Sequence, residues 1–364
     1  MKIRELISLL DKAAPFPLQE DYDNSGLQVG DPEKEINRAL ICLDVTMDVV
    51  REAREKQCNL IISHHPLIFK GLKRITGSGP VENILLDAIR HDVAVLSVHT
   101  NLDNAGYGVN QYLAGKIGLE NIMVLQPARG KLRKLVTFCP ANHAENVRQA
   151  LFGAGAGQIG DYDSCSYNLE GTGTFRGADT TNPFAGNAGE LHFEPETRIE
   201  TIFPGYLQKP VLEALFASHP YEEVAYDIYP LENTFERIGS GVVGSFPEPL
   251  PERELLSLLK LTLGTPVLRH SFLSGKPVSR LALCGGSGGF LLDVAAEAGA
   301  DAFVTSDLKY HQFFDAFGRL LLVDAGHYET EQFTKELLFE IIHKKNINFA
   351  LLISEVNTNP IAYF

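Results

Sequence analysis

Short apolar strands alternate with helices in the N-terminal part of the chain, and this order restricts the fold more than any other sequence feature. The predicted elements are a strand at 38–45 (RALICLDV), a helix at 49–57, a strand at 59–63, a helix at 81–90 and a strand at 93–98. Strands separated by helices at this spacing indicate βαβ units and a parallel sheet. This part of the chain is therefore predicted to have an α/β fold.

A similar order returns near the C-terminus. The predicted elements there are a strand at 280–284, a helix at 290–298 and strands at 302–305 and 320–323. In both parts, polar residues with metal-binding side chains come directly after the strands, where cavities form in open α/β sheets. We expect two similar α/β lobes, residues 1–130 and 233–364, that together form one metal-binding cleft.

The region between the lobes has a different pattern. Its predicted elements are a strand at 134–139, a helix at 144–152, strands at 164–175 and 198–203, a helix at 207–218 and a strand at 224–229. This β-α-β-β-α-β order is typical of a ferredoxin-like unit. We therefore expect residues 131–232 to form a ferredoxin-like α+β domain inserted between the lobes.

Length and charge restrict the class of protein. A chain of 364 residues has room for two or three domains. Its net charge of −14, from 32 Lys and Arg against 46 Asp and Glu, argues against a nucleic-acid partner but not against a small anionic substrate held by a metal. The five cysteines form no CxxC pair, and no signal peptide or membrane-length apolar run is present, so we expect a cytoplasmic protein outside the membrane.

Two adjacent histidines mark the first candidate site. His64 and His65 end an apolar strand and are followed by Pro66. Neighbouring side chains point to opposite faces inside a strand, but both imidazoles can face one cavity where the strand becomes a loop. Taken alone, the doublet is equally compatible with a metal site and with a polar loop, because histidine is both a common ligand and a frequent surface residue.

Two further groups of polar residues favour the metal site. Asp103 follows the strand at 93–98, and His327 and Glu331 follow the strand at 320–323 with an i, i+4 spacing that puts them on one helix face. Each has a structural alternative, since Asp103 could cap a turn, Glu331 could be a solvated helix residue and His327 could cap or pack. Purely structural roles explain each residue taken alone, but they explain the occurrence of all of them at three strand ends less well. Together with the doublet they suit two divalent cations, with Zn, Fe, Mn, Co and Ni all compatible.

Other segments give weaker candidates for the site. His99, Asp307 and His311 are expected to line the cleft and to move protons. Residues 23–27 could be a substrate loop or an ordinary turn. The glycine-rich segment 284–289 could cradle a phosphate through backbone N–H groups, and tight packing at a strand-to-helix turn explains it at least as well.

Several separated motifs, in this order, resemble the NIF-three-like family. The motifs are Asp23-Asn24-Ser25-Gly26-Leu27-Gln28-Val29-Gly30, Ser63-His64-His65-Pro66, His99-Thr100-Asn101-Leu102-Asp103, Thr305-Ser306-Asp307-Leu308-Lys309-Tyr310-His311 and Gly326-His327-Tyr328-Glu329-Thr330-Glu331. The resemblance covers both lobes, and the middle region is similar to the domain inserted in longer bacterial members. Ser306 stands where the family more often has glycine, which removes no expected ligand.

The resemblance implies a two-metal site and a toroidal homohexamer whose sites face an internal cavity. The implied metal ligands are His64, His65, Asp103, His327 and Glu331. Members are often labelled GTP cyclohydrolase I type 2 homologues. Because two cations would acidify a bound water and offset the negative charge of the chain, we expect a metal-dependent hydrolase acting on a nucleotide or another phosphorylated small molecule. The alternative is a regulatory or metal-handling protein whose inserted domain senses a ligand or gates the cavity, and a pure interaction scaffold is the weakest hypothesis.

Overall fold

The computed structural model describes residues 1–345 and 347–364, and it has a mixed α/β fold with several sheets. The α-helices are α1 (Ile3–Ala13), α2 (Met47–Glu55), α3 (Pro80–Arg90), α4 (Thr100–Asp103), α5 (Val109–Ile117), α6 (Ala144–Gly153), α7 (Gln208–Ser218), α8 (Glu252–Leu263), α9 (Leu292–Glu297), α10 (Gln312–Asp315), α11 (His327–Glu331) and α12 (Thr334–His343). The strands are β1 (Gly26–Val29), β2 (Arg38–Cys42), β3 (Leu60–Ser63), β4 (Ala94–Ser97), β5 (Glu120–Arg129), β6 (Leu132–Pro140), β7 (Tyr167–Arg176), β8 (Leu191–Pro204), β9 (Tyr226–Leu231), β10 (Thr234–Pro251), β11 (Arg269–His270), β12 (Pro277–Leu283), β13 (Ala302–Thr305), β14 (Leu321–Asp324) and β15 (Ala350–Ile353).

Internal contacts divide the chain into two compact units. Unit 1 combines Met1–Pro127 with Arg237–Phe364, and unit 2 is Ala128–Glu236. In the part of the chain that the structure describes, no helix has both the length and the apolar character needed to cross a membrane.

The first sheet of unit 1 has the strand order β1-β4-β3-β2-β15. Strands β2, β3 and β4 run parallel, which confirms the prediction from the alternating strands and helices. Thr46 caps the first connecting helix, α2, by accepting a hydrogen bond from the backbone N–H of Val49. Because the sheet is apolar on both faces, α1 and α12 cover one face and α2 and α3 cover the other. The carboxyl ends of β2, β3 and β4 consequently lie side by side at one edge.

The second sheet of unit 1 has the order β11-β14-β13-β12-β10-β5. Strands β12, β13 and β14 are again parallel, with α8 packed on one face and α9 on the other. Helix α5 contributes to both cores, since its Val109 packs with the first sheet while Leu113 and Ile117 pack with the second. Gly118 ends this helix in a left-handed conformation, at φ +89°. The two sheets thus share α5 as a common packing element.

Unit 2 contains the elements β6-α6-β7-β8-α7-β9 and a four-stranded sheet of order β7-β8-β6-β9. The pairs β7–β8, β8–β6 and β6–β9 are all antiparallel. One face of the sheet packs on α6 and α7 through Leu135, Ile199 and Phe203. Because strand side chains alternate, Phe138 and Arg198 belong to the opposite face.

Candidate metal centre

Four histidines come together at the carboxyl ends of strands in unit 1. His64 and His65 directly follow β3, His99 comes two residues after β4, and His327 begins α11 shortly after β14. The centroid of the His65 ring lies 4.9 Å from that of His64 and 5.3 Å from those of His99 and His327. Two groups of side chains could each hold a metal ion, namely His64 with His65 and His99, and His65 with His327 and Glu331. The two groups share His65.

Each of these histidines has its Nδ1 atom fixed by an oxygen acceptor. The acceptors are the Val98 carbonyl for His64 at 2.9 Å, and Asp44 for His65, Asp23 for His99 and Asp307 for His327, each at 2.7 Å. With Nδ1 engaged, Nε2 is the remaining nitrogen that can bind a ligand. Metal-binding histidines usually have their second ring nitrogen held in this way, which sets the tautomer and the ring orientation.

His64 gives the clearest test of whether a cation fits. Its ring is fully buried, and in the described part of the chain its Nε2 has no hydrogen-bond partner. That atom lies 3.6 Å from Asp103 Oδ1 and 3.9 Å from Glu331 Oε1. Burial, aided by the nearby His65 and His99, lowers the pKa of His64 to about 3 although Glu331 opposes this. A neutral imidazole therefore directs a lone pair towards two carboxylates, an arrangement that a cation would stabilise.

Glu331 is the carboxylate on which the histidines converge. It is 4% exposed, and its Oε2 accepts hydrogen bonds of 2.9 Å from Nε2 of both His65 and His327. Burial alone would raise its pKa, but these two hydrogen bonds hold it well below the usual range. Burial likewise opposes protonation of the two histidines, yet their carboxylate partners raise the pKa of His65 to about 10 and that of His327 to about 9.

Asp103 is the second carboxylate of the cluster and the last residue of α4. Burial and the negative charge of Glu331 raise its pKa well above the usual value. Two carboxylates close to a neutral histidine repel each other, and a divalent cation would relieve that repulsion. The five residues expected to bind metal are therefore brought together, and His99 joins them.

A glycine-rich loop closes one side of the cluster. Gly286 has φ +60°, and a Cβ atom there would lie 2.1 Å from Glu331 Oε1, so only glycine permits this approach. Backbone N–H groups of the loop already have protein acceptors, which are Asn110 for Gly285, Thr330 for Gly286 and Thr305 for Gly288. These contacts favour the tight-packing interpretation of segment 284–289 over a phosphate cradle.

The remaining predicted residues lie at different distances from the cluster. Asp307 contacts His327 and is held in a left-handed conformation, at φ +57°. His311 is exposed and its ring neighbours are Tyr310 and Phe314, so within the described residues it has no contact with the four clustered histidines. Asp23 belongs to the expected substrate loop, but its side chain anchors His99 and also accepts hydrogen bonds from Thr100.

Two residues that hold His65 in place, Asp44 and Thr358, were not predicted from the sequence. Asp44 holds His65, and its second oxygen accepts a hydrogen bond from Thr358. Asp44 lies two residues beyond β2, so the rule that polar residues follow strands applies to it as well. The predicted strand at 38–45 extended over it and concealed that signal. No local pattern indicates that the C-terminal segment with Thr358 reaches this aspartate.

Comparison with known proteins gives full-length matches. The model of the Duf34/NIF3 (NGG1p interacting factor 3) family matches residues 1–360. A Bacillus subtilis protein named GTP cyclohydrolase 1 type 2 homolog is 38% identical over 366 residues, covering 99% of this chain and 98% of its own. Crystal structures of a Bacillus cereus protein related to NIF3 and of a Staphylococcus aureus protein give TM-scores of 0.86 and 0.79 at 38% and 32% identity. Each comparison covers 100% of this chain and 99% of the other.

Proposed function

The chain belongs to the Duf34/NIF3 family, and on that premise we propose that it is a dinuclear metal-dependent hydrolase. The substrate class that we propose is a nucleotide or another phosphorylated small molecule. The name of its Bacillus subtilis relative, GTP cyclohydrolase 1 type 2 homolog, agrees with a nucleotide substrate. The cluster of histidines and carboxylates in unit 1 is the proposed active site.

One observation carries this proposal. Four histidines have Nδ1 fixed by an acceptor. The buried Nε2 of His64 lies near Asp103 and Glu331 and has no hydrogen-bond partner within the described residues. A cluster built only for stability would leave fewer buried polar atoms unpaired, because each one costs about 1–3 kcal/mol. The donor set, imidazole nitrogen with carboxylate oxygen, suits first-row divalent cations, including Zn, Fe, Mn, Co and Ni.

The proposed ligands for two cations are His64, His65, Asp103, His327 and Glu331. Five imidazole and carboxylate side chains are more than one four-coordinate cation needs, and this supports a count of two cations. When bound, divalent cations supply Lewis-acid chemistry and lower the pKa of water towards neutrality. Loading requires His65 and His327 to release the protons that they otherwise share with Glu331.

Proton transfer is assigned to the neighbouring polar residues. We propose His99 as the principal acid or base, because Asp23 fixes its Nδ1 and its ring lies beside His64 and His65. Asp307 orients His327 through the 2.7 Å contact with Nδ1. His311, exposed at the start of α10, is proposed as a more distant proton carrier.

We also propose that residues 1–130 and 233–364 are two similar lobes and that 131–232 is an inserted ferredoxin-like domain. The parallel strands in each sheet of unit 1, the order β6-α6-β7-β8-α7-β9 and the bounds of unit 2 support this division. The family resemblance further implies a homohexamer, and we propose a cytoplasmic location because the five cysteines are unpaired. Light scattering of the purified protein tests the hexamer.

Turnover of nucleotides and phosphoesters tests the proposed function. Protein loaded separately with Zn²⁺, Mn²⁺, Fe²⁺, Co²⁺ and Ni²⁺ should hydrolyse at least one substrate of these classes. His65→Ala should lower the rate by about a hundredfold or more, since it removes the histidine common to both groups. His91→Ala, which alters an exposed histidine outside the cluster, is the matched control and should keep the rate. Failure of every metal form to turn over any substrate, with trace activity unaffected by chelation or by His65→Ala, would contradict the assignment.

A second candidate function is regulation or metal handling without turnover. The observation that favours it is a cavity of about 660 Å³ in unit 2, lined by residues of that unit alone. In that case the cations would be structural or cargo, and unit 2 would sense a ligand. Metal binding that is lost in His65→Ala, combined with no turnover in any metal form, would favour this alternative.

A further inference from the structure

The cavity of unit 2 lies on the face of the sheet that α6 and α7 leave uncovered. Its volume of about 660 Å³ is in the range of small-molecule sites. Strands β7 and β8 contribute its floor, and its walls come from residues 177–184 after β7 and residues 221–225 before β9. Every residue that lines it belongs to unit 2, so the cavity shares no residue with the candidate metal centre.

Two glycines shape the floor of this cavity. Gly171 pairs with Glu196, and a Cβ atom built on it would have nothing within 4 Å. At Gly173, a Cβ atom would lie 2.0 Å from Glu196 Oε2, because the carboxylate leans over that position. Neither glycine has a positive φ, so backbone geometry does not require glycine here. Glycines inside a strand often mark a place where a ligand approaches the backbone closely, and Gly171 leaves such a space open.

Aromatic rings line both the floor and the walls of the cavity. Tyr221 lies between Phe175 and Phe184, with ring centroids 6.0 and 6.1 Å away. Phe138 lines the cavity beside Arg198. Aromatic rings prefer to pack against other planar rings, through offset or edge-to-face contacts. A cavity lined by three such side chains therefore favours a ligand with a planar ring.

A hydrogen-bond acceptor and a donor lie next to each other on the floor. Glu196 and Arg198 are two residues apart in β8 and so share one face. The Tyr221 hydroxyl donates to Glu196 Oε1 at 2.7 Å, which leaves Oε2 as the acceptor above Gly173. Arg198 pairs with Glu200 through one terminal nitrogen, and its guanidinium lies over the Phe138 ring. Its Nε is buried and has no hydrogen-bond partner among the residues that the structure describes. Glu196 as the acceptor and Arg198 as the donor match a ligand edge that carries an N–H donor beside an acceptor.

The charge of the lining opposes a polyanionic ligand. Four carboxylates line the cavity against two guanidinium groups; these are Glu170, Glu196, Glu222 and Glu223 against Arg176 and Arg198. A triphosphate would meet net repulsion there, whereas a neutral heterocycle would not.

We propose that unit 2 binds a neutral planar nitrogen heterocycle of the nucleobase type, as a free base or nucleoside. Its ring lies against Phe175, Phe184 and Tyr221, its N–H donor bonds Glu196 and its acceptor bonds Arg198. Guanine has this combination, with N–H donors on one edge and the O6 and N7 acceptors nearby. The proposal is independent of hydrolysis at the metal centre, because it uses residues of unit 2 alone.

Calorimetric titration of the full-length protein with guanosine tests this site. The titration is made with EDTA present and in the His65→Ala background, so that binding at the metal centre does not contribute. Guanosine should bind with Kd below about 1 mM. Gly171→Val, which fills the open floor, should weaken binding by about tenfold or more. Tyr167→Val is the matched control, because it places the same side chain in β7 outside the cavity lining, and it should bind as the parent does.

Two further titrations test the hydrogen bond from Arg198 and the effect of negative charge on the ligand. Arg198→Leu should weaken guanosine binding by about fivefold or more through loss of the donor. GTP should bind more weakly than guanosine under the same conditions. The proposal is overturned if guanosine, adenosine, inosine and cytidine all fail to bind at about 1 mM. Equal binding by Gly171→Val and its parent, or tighter binding of GTP than of guanosine, overturns it as well.

Discussion

Histidines that favour opposite protonation states lie side by side in the candidate metal centre. Burial holds the pKa of His64 at about 3, whereas carboxylate partners raise the pKa of His65 to about 10 and that of His327 to about 9. At neutral pH, protons on His65 and His327 therefore balance the charge of Glu331 in protein stripped of cations. A cation that binds these Nε2 atoms must displace those protons, so metal affinity depends on pH.

Metal affinity is accordingly expected to rise with pH. Because the raised pKa values keep His65 and His327 protonated below about 9, each proton displaced should strengthen binding by about tenfold per pH unit. Competition with a chromogenic chelator, between about pH 6 and about pH 8, measures this slope for Zn²⁺. His91→Ala should keep the slope, since His91 is outside the cluster. An affinity that does not change with pH would show that the cations do not replace these protons.

The raised pKa values of His65 and His327 should make the chelated protein less stable as pH rises, whereas they make metal binding stronger. A histidine whose folded pKa is raised stabilises the fold fully below its ordinary value of 6.5, and that stabilisation is lost as pH rises through about 9 to 10. Chelated protein should therefore have a falling Tm across this window, while a bound cation should offset the fall. The comparison uses the same samples as the affinity measurement.

Residues of the site could be predicted from the sequence where they obey one local rule, namely that metal-binding side chains directly follow a strand. His64, His65, Asp103, His327 and Glu331 all follow strands, and the structure brings them together. Which ring nitrogen is held, and by what, depends on tertiary contacts such as that between His65 and Glu331, which are 266 residues apart. Asp44 escaped the rule because the predicted strand was three residues too long.

Strand ends and one shared helix position the site at the scale of elements. The ends of β3, β4 and β14 supply the clustered side chains, and α5 packs into the cores of both sheets of unit 1. Movement of α5 would thus disturb both sheets together. The integrity of this helix contact should be important for the stability of unit 1.

Leu113→Ala should test that contact. Leu113 is 1% exposed in the core of the second sheet, and its truncation should cost about 2–5 kcal/mol of unfolding free energy. Urea denaturation of the chelated protein measures the change. Leu261→Ala makes the same substitution on α8 at a side chain that is 82% exposed, and its effect should stay within about 0.5 kcal/mol. Equal stabilities for the two variants would contradict the role of α5.

Helices and strands with a clear pattern of apolar residues could be predicted from the sequence. The long strands β5 and β10 could not. The parallel strands β2, β3 and β4 were expected because they are short apolar runs separated by helices. Strand β5 contains Pro127 and has a single buried residue, so it lacks the alternation of a half-buried strand. Strand β10 contains glycines and prolines that usually indicate turns. Pairing with neighbouring strands, rather than local preference, determines these two strands.

For the whole molecule, charge and organisation agree with a cation-binding role. The net charge of −14 would be partly offset by divalent cations at a centre that already brings Asp103 and Glu331 close to one buried histidine. The cavity in unit 2 has a different chemistry, because aromatic rings line it together with Glu196 as an acceptor and Arg198 as a donor. The order of motifs predicted the family, whereas nothing in the local sequence indicated this cavity, because its lining comes from four separate segments.

Elemental analysis of metal per chain tests the central claim most directly. Protein purified without chelator and without nickel affinity resin should contain about two divalent cations per chain. His65→Ala should lose most of that metal, because His65 belongs to both candidate groups, whereas His91→Ala should retain it. A content well below one per chain in the parent protein, unchanged by reloading and equal in both variants, would contradict the metal centre.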